Sequence, residues 1–282
     1  PVFDAGYKLE NVTAIRPSPG QYIADKNFVP AGKFIPEQGF TGYAATVLTS
    51  ANNDPVFPTV CRRWIPVLDA YDKYNRYRGA AAALVYNYGG TYPRSAWAVC
   101  GINNVDLFTG GSGGDAVLIQ LIKNIIRRTF LYDLRTNYVC YRQGEDVTVT
   151  VKIVNQGSQL QNYQINLQIT DYQKNQVCFT ETQSVLLNPG ETQSLSFTWA
   201  GAKFEVDLYL VSVVLVLAKQ PVDKLETGFT VWDEKIIRQG LALSWDNSYF
   251  KVNNKPFFFC GTNHTGIVYY VNSENPLTWE TD

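Results

Sequence analysis

The feature that most constrains this fold is an alternation of apolar and polar residues with a period of two. The run from Val147 to Val154 reads Val-Thr-Val-Thr-Val-Lys-Ile-Val, and similar alternation recurs at 163–169, 178–185, 194–199 and 204–216. Successive side chains of a β-strand point to opposite faces, so this pattern gives each strand one buried face and one solvated face. The sequence therefore predicts a series of half-buried β-strands.

Turn-forming residues separate these runs at 155–157, 171–175, 188–191 and 200–201, where Asn, Asp, Gly and Pro are concentrated. Such residues favour tight turns because they tolerate left-handed backbone or preset the backbone angles. Short alternating strands at this spacing are typical of a β-sandwich. We therefore expect a β-sandwich over residues 135–232, with the segment from Glu226 to Trp232 as its closing strand.

The pattern before residue 135 is different. Two compact apolar runs, Gly79 to Tyr88 and Ser95 to Ile102, predict strands that are buried on both faces. A glycine-rich loop, Gly110 to Gly114, then leads into an amphipathic helix with Asp115 as its expected N-cap. The apolar stripe of this helix comprises Val117, Leu118, Leu121, Ile122, Ile125 and Ile126. Strand, glycine-rich loop and helix together predict an α/β domain over residues 1–134.

Composition excludes several function classes. The chain has 24 basic and 25 acidic residues, which removes the electrostatic case for a nucleic-acid partner. No apolar run reaches about 18 residues, so we expect no membrane span. Neither a metal nor a cofactor is predicted, because the five cysteines show no CxxC spacing and are expected to be buried, with room for one or two disulfides. Two glycosylation sequons, at Asn11 and Asn263, favour an extracellular or cell-surface location.

The strongest resemblance lies near the end of the chain, where residues 249–263 read Tyr-Phe-Lys-Val-Asn-Asn-Lys-Pro-Phe-Phe-Phe-Cys-Gly-Thr-Asn. The Asn-Asn pair predicts a hairpin turn. This segment resembles the hairpin that enters the (β/α)8 barrel of glycoside hydrolases of the family 2 and family 5 type. The resemblance implies that residues 233–282 comprise a linker, a hairpin and the first strand of an incomplete barrel, and that the preceding sandwich is the immunoglobulin-like domain of such enzymes.

The resemblance also implies site residues. Asn263 and His264 would follow the first barrel strand and lie near the sugar, as substrate-binding residues; the alternative is that His264 is an ordinary loop histidine. Residues 62–101 look like the flavodoxin-type, amidotransferase-like domain that accompanies some glycosidases. Glutaminase chemistry is disfavoured, because a working site needs a cysteine paired with a histidine, and the only histidine lies in another predicted domain.

No catalytic residue is assigned. Glycoside hydrolysis needs two carboxylates on opposite sides of the scissile bond, and the barrel enzymes carry theirs on later strands. Glu274, Glu280 and Asp282 are too close to the hairpin in sequence to replace them. Whether the chain is an enzyme is therefore left open by its sequence.

Three functions are consistent with these features. The first is the non-catalytic front portion of a secreted glycoside hydrolase-like protein that acts on polysaccharide or oligosaccharide, with the catalytic carboxylates outside this chain and a missing barrel segment as partner. The second is a self-assembling extracellular protein that forms homo-oligomers through an exposed strand containing Phe257, Phe258 and Phe259. The third is a carbohydrate-binding accessory module that stacks sugars on sandwich aromatics such as Tyr163, Tyr172 and Trp199.

Overall fold

The computed structural model of the chain describes residues 3–19, 39–47, 62–90, 92–108, 114–238, 243–245, 250–252 and 255–257. The described residues are mostly β-strand and form a six-stranded sheet, a two-sheet sandwich and a short three-stranded sheet. Among them, no helix is long and apolar enough to cross a membrane.

The first sheet is antiparallel throughout its described pairings. Its strands are β1 (Phe3–Lys8), β2 (Val12–Pro17), β3 (Tyr43–Val47), β4 (Arg62–Asp72), β5 (Tyr77–Asn87) and β6 (Ala96–Cys100). The order across the sheet is β1-β3-β5-β4-β2, and β6 also pairs with β5. The two longest strands, β4 and β5, form a hairpin at the centre of the sheet.

The prediction of a flavodoxin-like, amidotransferase-type domain is wrong, because the first sheet is antiparallel. A flavodoxin-like fold needs parallel strands joined by crossover helices, whereas β4, β5 and β6 follow one another as antiparallel neighbours. The second apolar run, β6, is only partly buried rather than covered on both faces as predicted. Both runs are strands, as predicted, but their neighbours are antiparallel. The physical reason is that β5 is buried from Gly79 to Asn87. A strand that is buried on both faces has an apolar run whether its neighbours are parallel or antiparallel. The run therefore does not show the direction of strand pairing.

The predicted amphipathic helix is confirmed as α1 (Gly114–Arg127). It inserts Val117 and Leu121 into the core that it shares with the first sheet. The apolar stripe is narrower than predicted, because Ile122 and Ile126 are exposed. Asp115 lies in the first turn of α1 rather than before it, and its Oδ1 accepts the N–H of Ala116 at 2.9 Å.

The predicted β-sandwich is confirmed. Its strands are β7 (Thr129–Thr136), β8 (Cys140–Tyr141), β9 (Val147–Asn155), β10 (Gln161–Asp171), β11 (Val177–Leu187), β12 (Thr192–Trp199), β13 (Leu208–Leu217) and β14 (Gln220–Val231). One sheet has the order β11-β10-β13-β14-β8 and the other β12-β9-β7. The alternating residues predicted to face inward do so: Val147, Val149, Val151 and Ile153 of β9 are buried in the sandwich core.

The first sheet and the sandwich meet at a polar and aromatic junction. Arg63 of β4 forms an ion pair with Asp223 of β14, and both side chains are almost fully buried. The Arg63 guanidinium also donates to the carbonyl oxygens of Leu131 at 2.8 Å and Lys224 at 2.6 Å. Beside this pair, the ring of Tyr86 stacks on that of Phe130 with centroids 4.4 Å apart.

The end of the described chain contains the predicted hairpin. After α2 (Glu234–Arg238), the strands β15 (Leu243–Trp245), β16 (Phe250–Val252) and β17 (Lys255–Phe257) form an antiparallel sheet. Val252 pairs with Lys255, as the predicted hairpin requires, and the Asn-Asn pair at 253–254 lies outside the described residues. The barrel that this hairpin is expected to enter remains a prediction.

Three cysteines depart from the expectation of burial. Cys100, Cys140 and Cys178 are exposed free thiols. Each lies in a strand, and at Cys140 the alternation that buries Tyr141 turns the cysteine outward. Cys61 and Cys260 lie outside the described residues.

Candidate functional site

Most site residues predicted from the resemblance lie outside the described part of the chain. This applies to Asn263, His264, Phe258 and Phe259. Phe257 is the last residue of β17, where only its backbone is described. The predicted sugar contacts and the predicted self-assembly strand therefore remain predictions.

The sandwich aromatics proposed as sugar platforms are mostly core residues. Tyr163 is fully buried. Trp199 packs against the rings of Phe179 and Phe204, with centroids 6.0 Å and 5.6 Å away. Of the three tyrosine and tryptophan candidates, Tyr172 alone is well exposed, at 59%. Tyr172 lies in the turn predicted at 171–175, whereas Tyr163 and Trp199 are strand residues that face the sandwich core.

A different group of aromatic residues is exposed where β4 turns into β5. The segment from Tyr71 to Arg78 reads Tyr-Asp-Lys-Tyr-Asn-Arg-Tyr-Arg. Asp72 organises this turn: its Oδ1 accepts the N–H of Tyr74 at 2.9 Å and that of Arg76 at 3.0 Å. Asn75 adopts a left-handed backbone with φ of 58°, a conformation that asparagine tolerates better than most residues. The turn is thus fixed by an aspartate and an asparagine at suitable positions.

The same aspartate fixes two arginines. Asp72 Oδ2 accepts from Arg76 Nε at 2.9 Å and from Arg78 Nη2 at 2.7 Å. Burial works against ionisation of Asp72, but the N–H groups of Arg76 and Tyr74 and the guanidinium groups of Arg78 and Arg76 outweigh it. They hold the pKa of this carboxyl well below its usual range. The carboxylate is therefore ionised across the physiological pH range.

Three tyrosine rings surround this turn. Tyr71 and Tyr77 are cross-strand partners whose rings meet edge to face with centroids 6.2 Å apart. The guanidinium of Arg16, from β2, lies 4.8 Å from the centroid of the Tyr71 ring. Arg76 lies 4.8 Å from the centroid of the Tyr74 ring. Cations at such distances are attracted by the electron-rich ring face.

We call this surface the tyrosine–arginine cluster; it consists of Arg16, Tyr71, Lys73, Tyr74, Arg76, Tyr77 and Arg78. Lys73 belongs to it because its ammonium group lies 5.0 Å from the centroid of the Tyr74 ring. Tyr74 and Tyr77 are 65% and 54% exposed. The cluster thus offers accessible aromatic rings beside hydrogen-bond donors whose positions are already fixed.

A second carboxylate lies beneath the cluster. Asp69 is buried, and its Oδ1 accepts a hydrogen bond from Ser18 Oγ at 2.7 Å. Burial raises the pKa of Asp69, and hydrogen bonds from Ser18 and Tyr71 oppose this effect only in part. Burial and the nearby Asp69 carboxylate also raise the pKa of Tyr71 and of Tyr77. Asp69 and Asp72 are both buried and hydrogen-bonded, which suits the cluster to binding rather than to acid–base chemistry.

The sequence contained a signal for this cluster. Three tyrosines spaced three residues apart, interleaved with arginines around an Asp-x-x-Asn turn, are visible between Tyr71 and Arg78. The contribution of Arg16 could not be found in this way, because it reaches the turn from another strand, donating to Asn75 Oδ1 at 2.9 Å.

A cleft of about 330 Å³ lies between the end of α1 and the loop after β9. Lys123, Arg127, Asn155, Gln159 and Leu217 are among its lining residues. Its polar groups serve the fold: Arg127 donates to the carbonyl oxygen of Val222 at 3.1 Å, and Asn155 to that of Gln159 at 2.8 Å. Within the described residues, no group of three or more His, Cys, Asp or Glu side chains could hold a metal ion.

Comparison of the sequence with protein-family models and with curated proteins gives no match. Solved structures give partial similarity. A cycloisomaltooligosaccharide glucanotransferase from Paenibacillus sp. is 21% identical over 37% of this chain and 14% of its own, with a TM-score of 0.33. A β-glucuronidase from Bacteroides uniformis is 18% identical over 46% of this chain and 15% of its own, with a TM-score of 0.29.

A third similar structure is the CARDB domain of a Pyrococcus furiosus protein, crystallised with two metal ions. It is 12% identical over 38% of this chain and 94% of its own, with a TM-score of 0.30. Glycoside hydrolases thus occur among the similar structures, at low identity and partial coverage. The chain spans 14% to 16% of the length of the first three of these structures.

Proposed function

We propose that this chain is a non-catalytic, glycan-contacting portion of a secreted, glycoside hydrolase-like protein. The observation that carries the proposal is the tyrosine–arginine cluster, in which exposed tyrosine rings stand beside arginines held in place by Asp72. The catalytic carboxylates are expected outside the chain, as the resemblance of the C-terminal hairpin to a barrel entrance implies.

Sugar recognition explains why such a surface is useful. A pyranose ring has an apolar C–H face and a rim of hydroxyl groups, so it can pack on an aromatic ring and accept hydrogen bonds at its edge. Tyrosine supplies both a flat apolar body and a polar hydroxyl. Arginine supplies N–H donors in a planar, rigid fork. Because Asp72 already orients Arg76 and Arg78, little side-chain freedom is lost when a ligand binds.

The position of the cluster favours a non-catalytic role for the chain, in which it holds a glycan for a catalytic domain. The strand β4 carries the cluster at its C-terminal end and the Arg63 ion pair near its start. The cluster is therefore connected through one strand to the junction with the sandwich, which leads on to the C-terminal hairpin. A glycan bound at the cluster is thereby held on the same strand that contacts the sandwich.

Affinity electrophoresis of the purified chain through gels containing polysaccharides tests this function. We expect retardation by at least one polysaccharide. Tyr77→Ala should weaken it by about fivefold, which corresponds to roughly 1 kcal/mol for one aromatic contact. Tyr77→Phe should retain most of the binding, because the ring is kept.

The matched control is Tyr172→Ala. Tyr172 has a similar exposure to Tyr77 and lies in the β10–β11 turn, where Asp171 accepts the N–H groups of Gln173 and Lys174 at 2.7 Å and 2.9 Å. It should leave the retardation unchanged. Equal losses in Tyr77→Ala and Tyr172→Ala, or wild-type mobility in every gel, would contradict the proposal.

A further inference from the structure

In the tyrosine–arginine cluster, the positively charged groups lie at the surface and the nearby carboxylates are buried. Its cations, Arg16, Lys73 and Arg76, are exposed, and Arg78 is partly exposed. The two carboxylates that belong to the same strands, Asp69 and Asp72, are both buried. The cluster therefore presents positive charge to the solvent, although the chain as a whole is close to neutral.

The neighbouring turn does not cancel this charge. The short 3-10 turn Leu9–Asn11 precedes β2, whose first residue, Val12, pairs with Asp72. This turn contributes Glu10 as an exposed carboxylate, and Lys8 beside it is exposed as well. Their charges offset each other, and the excess positive charge of the cluster remains.

The cations are also held in directions that suit an oxyanion. Arg16 uses one of its five N–H donors on Asn75 Oδ1, at 2.9 Å. Arg76 directs Nε and Nη2 to Asp72 while its guanidinium lies against Tyr74. An arginine that is oriented by a buried carboxylate and an aromatic ring keeps further donors for an external acceptor. Carboxylates and sulfates accept such N–H groups in charge-assisted hydrogen bonds, which are stronger than neutral ones.

From this arrangement we infer that the cluster selects acidic polysaccharides, with the oxyanion of a sugar residue bound by Arg16 and Arg76 and the ring of that sugar or its neighbour packed on Tyr77. The inference rests on the proposed function and narrows its ligand class. Uronate carboxylates and sulfate esters share the required chemistry.

Paired polysaccharides that differ in charge but share a similar backbone provide the test. Polygalacturonate is compared with its fully methyl-esterified form, and carrageenan with agarose, by affinity electrophoresis and by isothermal titration calorimetry. We expect about tenfold tighter binding to at least one charged member than to its neutral partner. The first pair reports a carboxylate ligand and the second a sulfate ligand. Added salt should weaken the charged binding, because the interacting groups are exposed to solvent.

Variants that remove single cations then show which residues cause the preference for charged polysaccharides. Arg16→Gln and Lys73→Gln remove cations that make no ion pair with Asp72, so the turn should remain folded. Each should weaken charged binding by about threefold to tenfold and neutral binding by a smaller factor. The control is Arg142→Gln, an exposed arginine of the sandwich, which should change neither. Thermal melting of each variant confirms folding.

The outcomes separate this inference from the function on which it rests. Equal binding to the charged and neutral members of both pairs overturns the acidic preference and leaves a glycan-contacting role in place. Equal loss of charged binding in Arg142→Gln and Arg16→Gln overturns the site, because it indicates attraction by diffuse charge. Absence of binding to every polysaccharide overturns both the inference and the proposed function.

Discussion

At the scale of single residues, Asp72 does more than any other side chain to shape the candidate site. Its carboxylate accepts two backbone N–H groups of the turn and pairs with two arginines. A buried carboxylate is tolerated only where such partners replace its lost hydration. The turn, the direction of the arginines and the charge state of the site therefore depend on one residue.

Replacement of this carboxylate gives a first prediction. Asp72→Asn keeps a side-chain oxygen for the turn but loses both ion pairs, so Tm should fall by several degrees at about pH 7. The pKa of Asp72 is lowered in the folded state, so its stabilisation is complete above the unfolded pKa of about 3.9 and is lost as pH falls toward the folded value. The Tm difference between wild type and Asp72→Asn should therefore shrink in acid, measured by circular dichroism at about pH 7 and about pH 3.

A suitable control for this prediction is Glu234→Gln, which removes an ion pair with Arg238 that is exposed on both sides. Exposed pairs of this kind contribute little to stability, so the Tm of this variant should match that of the wild type at both pH values. A Tm difference for Asp72→Asn that grows on acidification would show that the native carboxyl is not held ionised.

For Asp69 we expect the opposite dependence of stability on pH. Burial raises its pKa in the folded state, so the folded protein binds a proton there more readily than the unfolded chain. The contribution of Asp69 to stability is then complete below the unfolded pKa and is lost as pH rises through the folded one. Asp69→Asn has no carboxyl group at this position, so its stability does not fall in this way as pH rises. The Tm of Asp69→Asn minus that of wild type should become more positive between about pH 4 and about pH 7; a value that becomes more negative over that interval contradicts the raised pKa.

At the scale of elements, the helix α1 shows how burial decides the effect of a mutation. Leu121 and Ile122 are neighbours in sequence, but Leu121 is 3% exposed and Ile122 is 56% exposed. Leu121→Ala removes side-chain volume from the core beneath the first sheet and should reduce the free energy of unfolding by about 2–5 kcal/mol. Ile122→Ala should change it by less than about 0.5 kcal/mol. Chemical denaturation measures both; similar losses would mean that α1 does not pack by the face containing Leu121.

The elements also show what the sequence could reveal. The sandwich was predictable because each strand has one solvated face, so that buried residues such as Val149 and Val151 alternate with polar ones. In the first sheet, β5 is covered on both faces and carries no alternation. The run from Gly79 to Tyr88 therefore predicted a strand but not its direction. The direction depends on which strand lies next to it, and that information is not local.

The candidate site illustrates the same limit. The turn residues Asp72 and Asn75 are recognisable in sequence, since aspartate and asparagine favour such turns. The partnership of Asn75 with Arg16 joins positions 59 residues apart, and no spacing rule connects them. Tyr163 lies within β10 and is buried, whereas Tyr172 follows the last residue of that strand, in a turn, and is exposed.

At the scale of the whole molecule, the junction between the first sheet and the sandwich contains one buried ion pair. Asp223 accepts from the Arg63 guanidinium and from the backbone N–H of Leu131, at 2.8 Å from the latter. The Arg63 guanidinium also reaches the carbonyl oxygen of Lys224. The pair therefore ties β4 to both sheets of the sandwich. If it is broken, the strand that carries the tyrosine–arginine cluster loses a buried link to the sandwich.

Removal of one partner of this ion pair should strongly reduce the free energy of unfolding. Asp223→Ala leaves the Arg63 charge buried without its counter-ion and should cost about 3–5 kcal/mol of unfolding free energy. The amide of Leu131 loses its acceptor, so its hydrogen–deuterium exchange should accelerate more than that of the sandwich core residue Val149. Glu226→Gln, which removes an outward-facing partner of Lys224 on the same strand, should leave both quantities near wild type. Unchanged exchange at Leu131 in Asp223→Ala would show that the junction is held by the stacked rings of Tyr86 and Phe130 rather than by the ion pair.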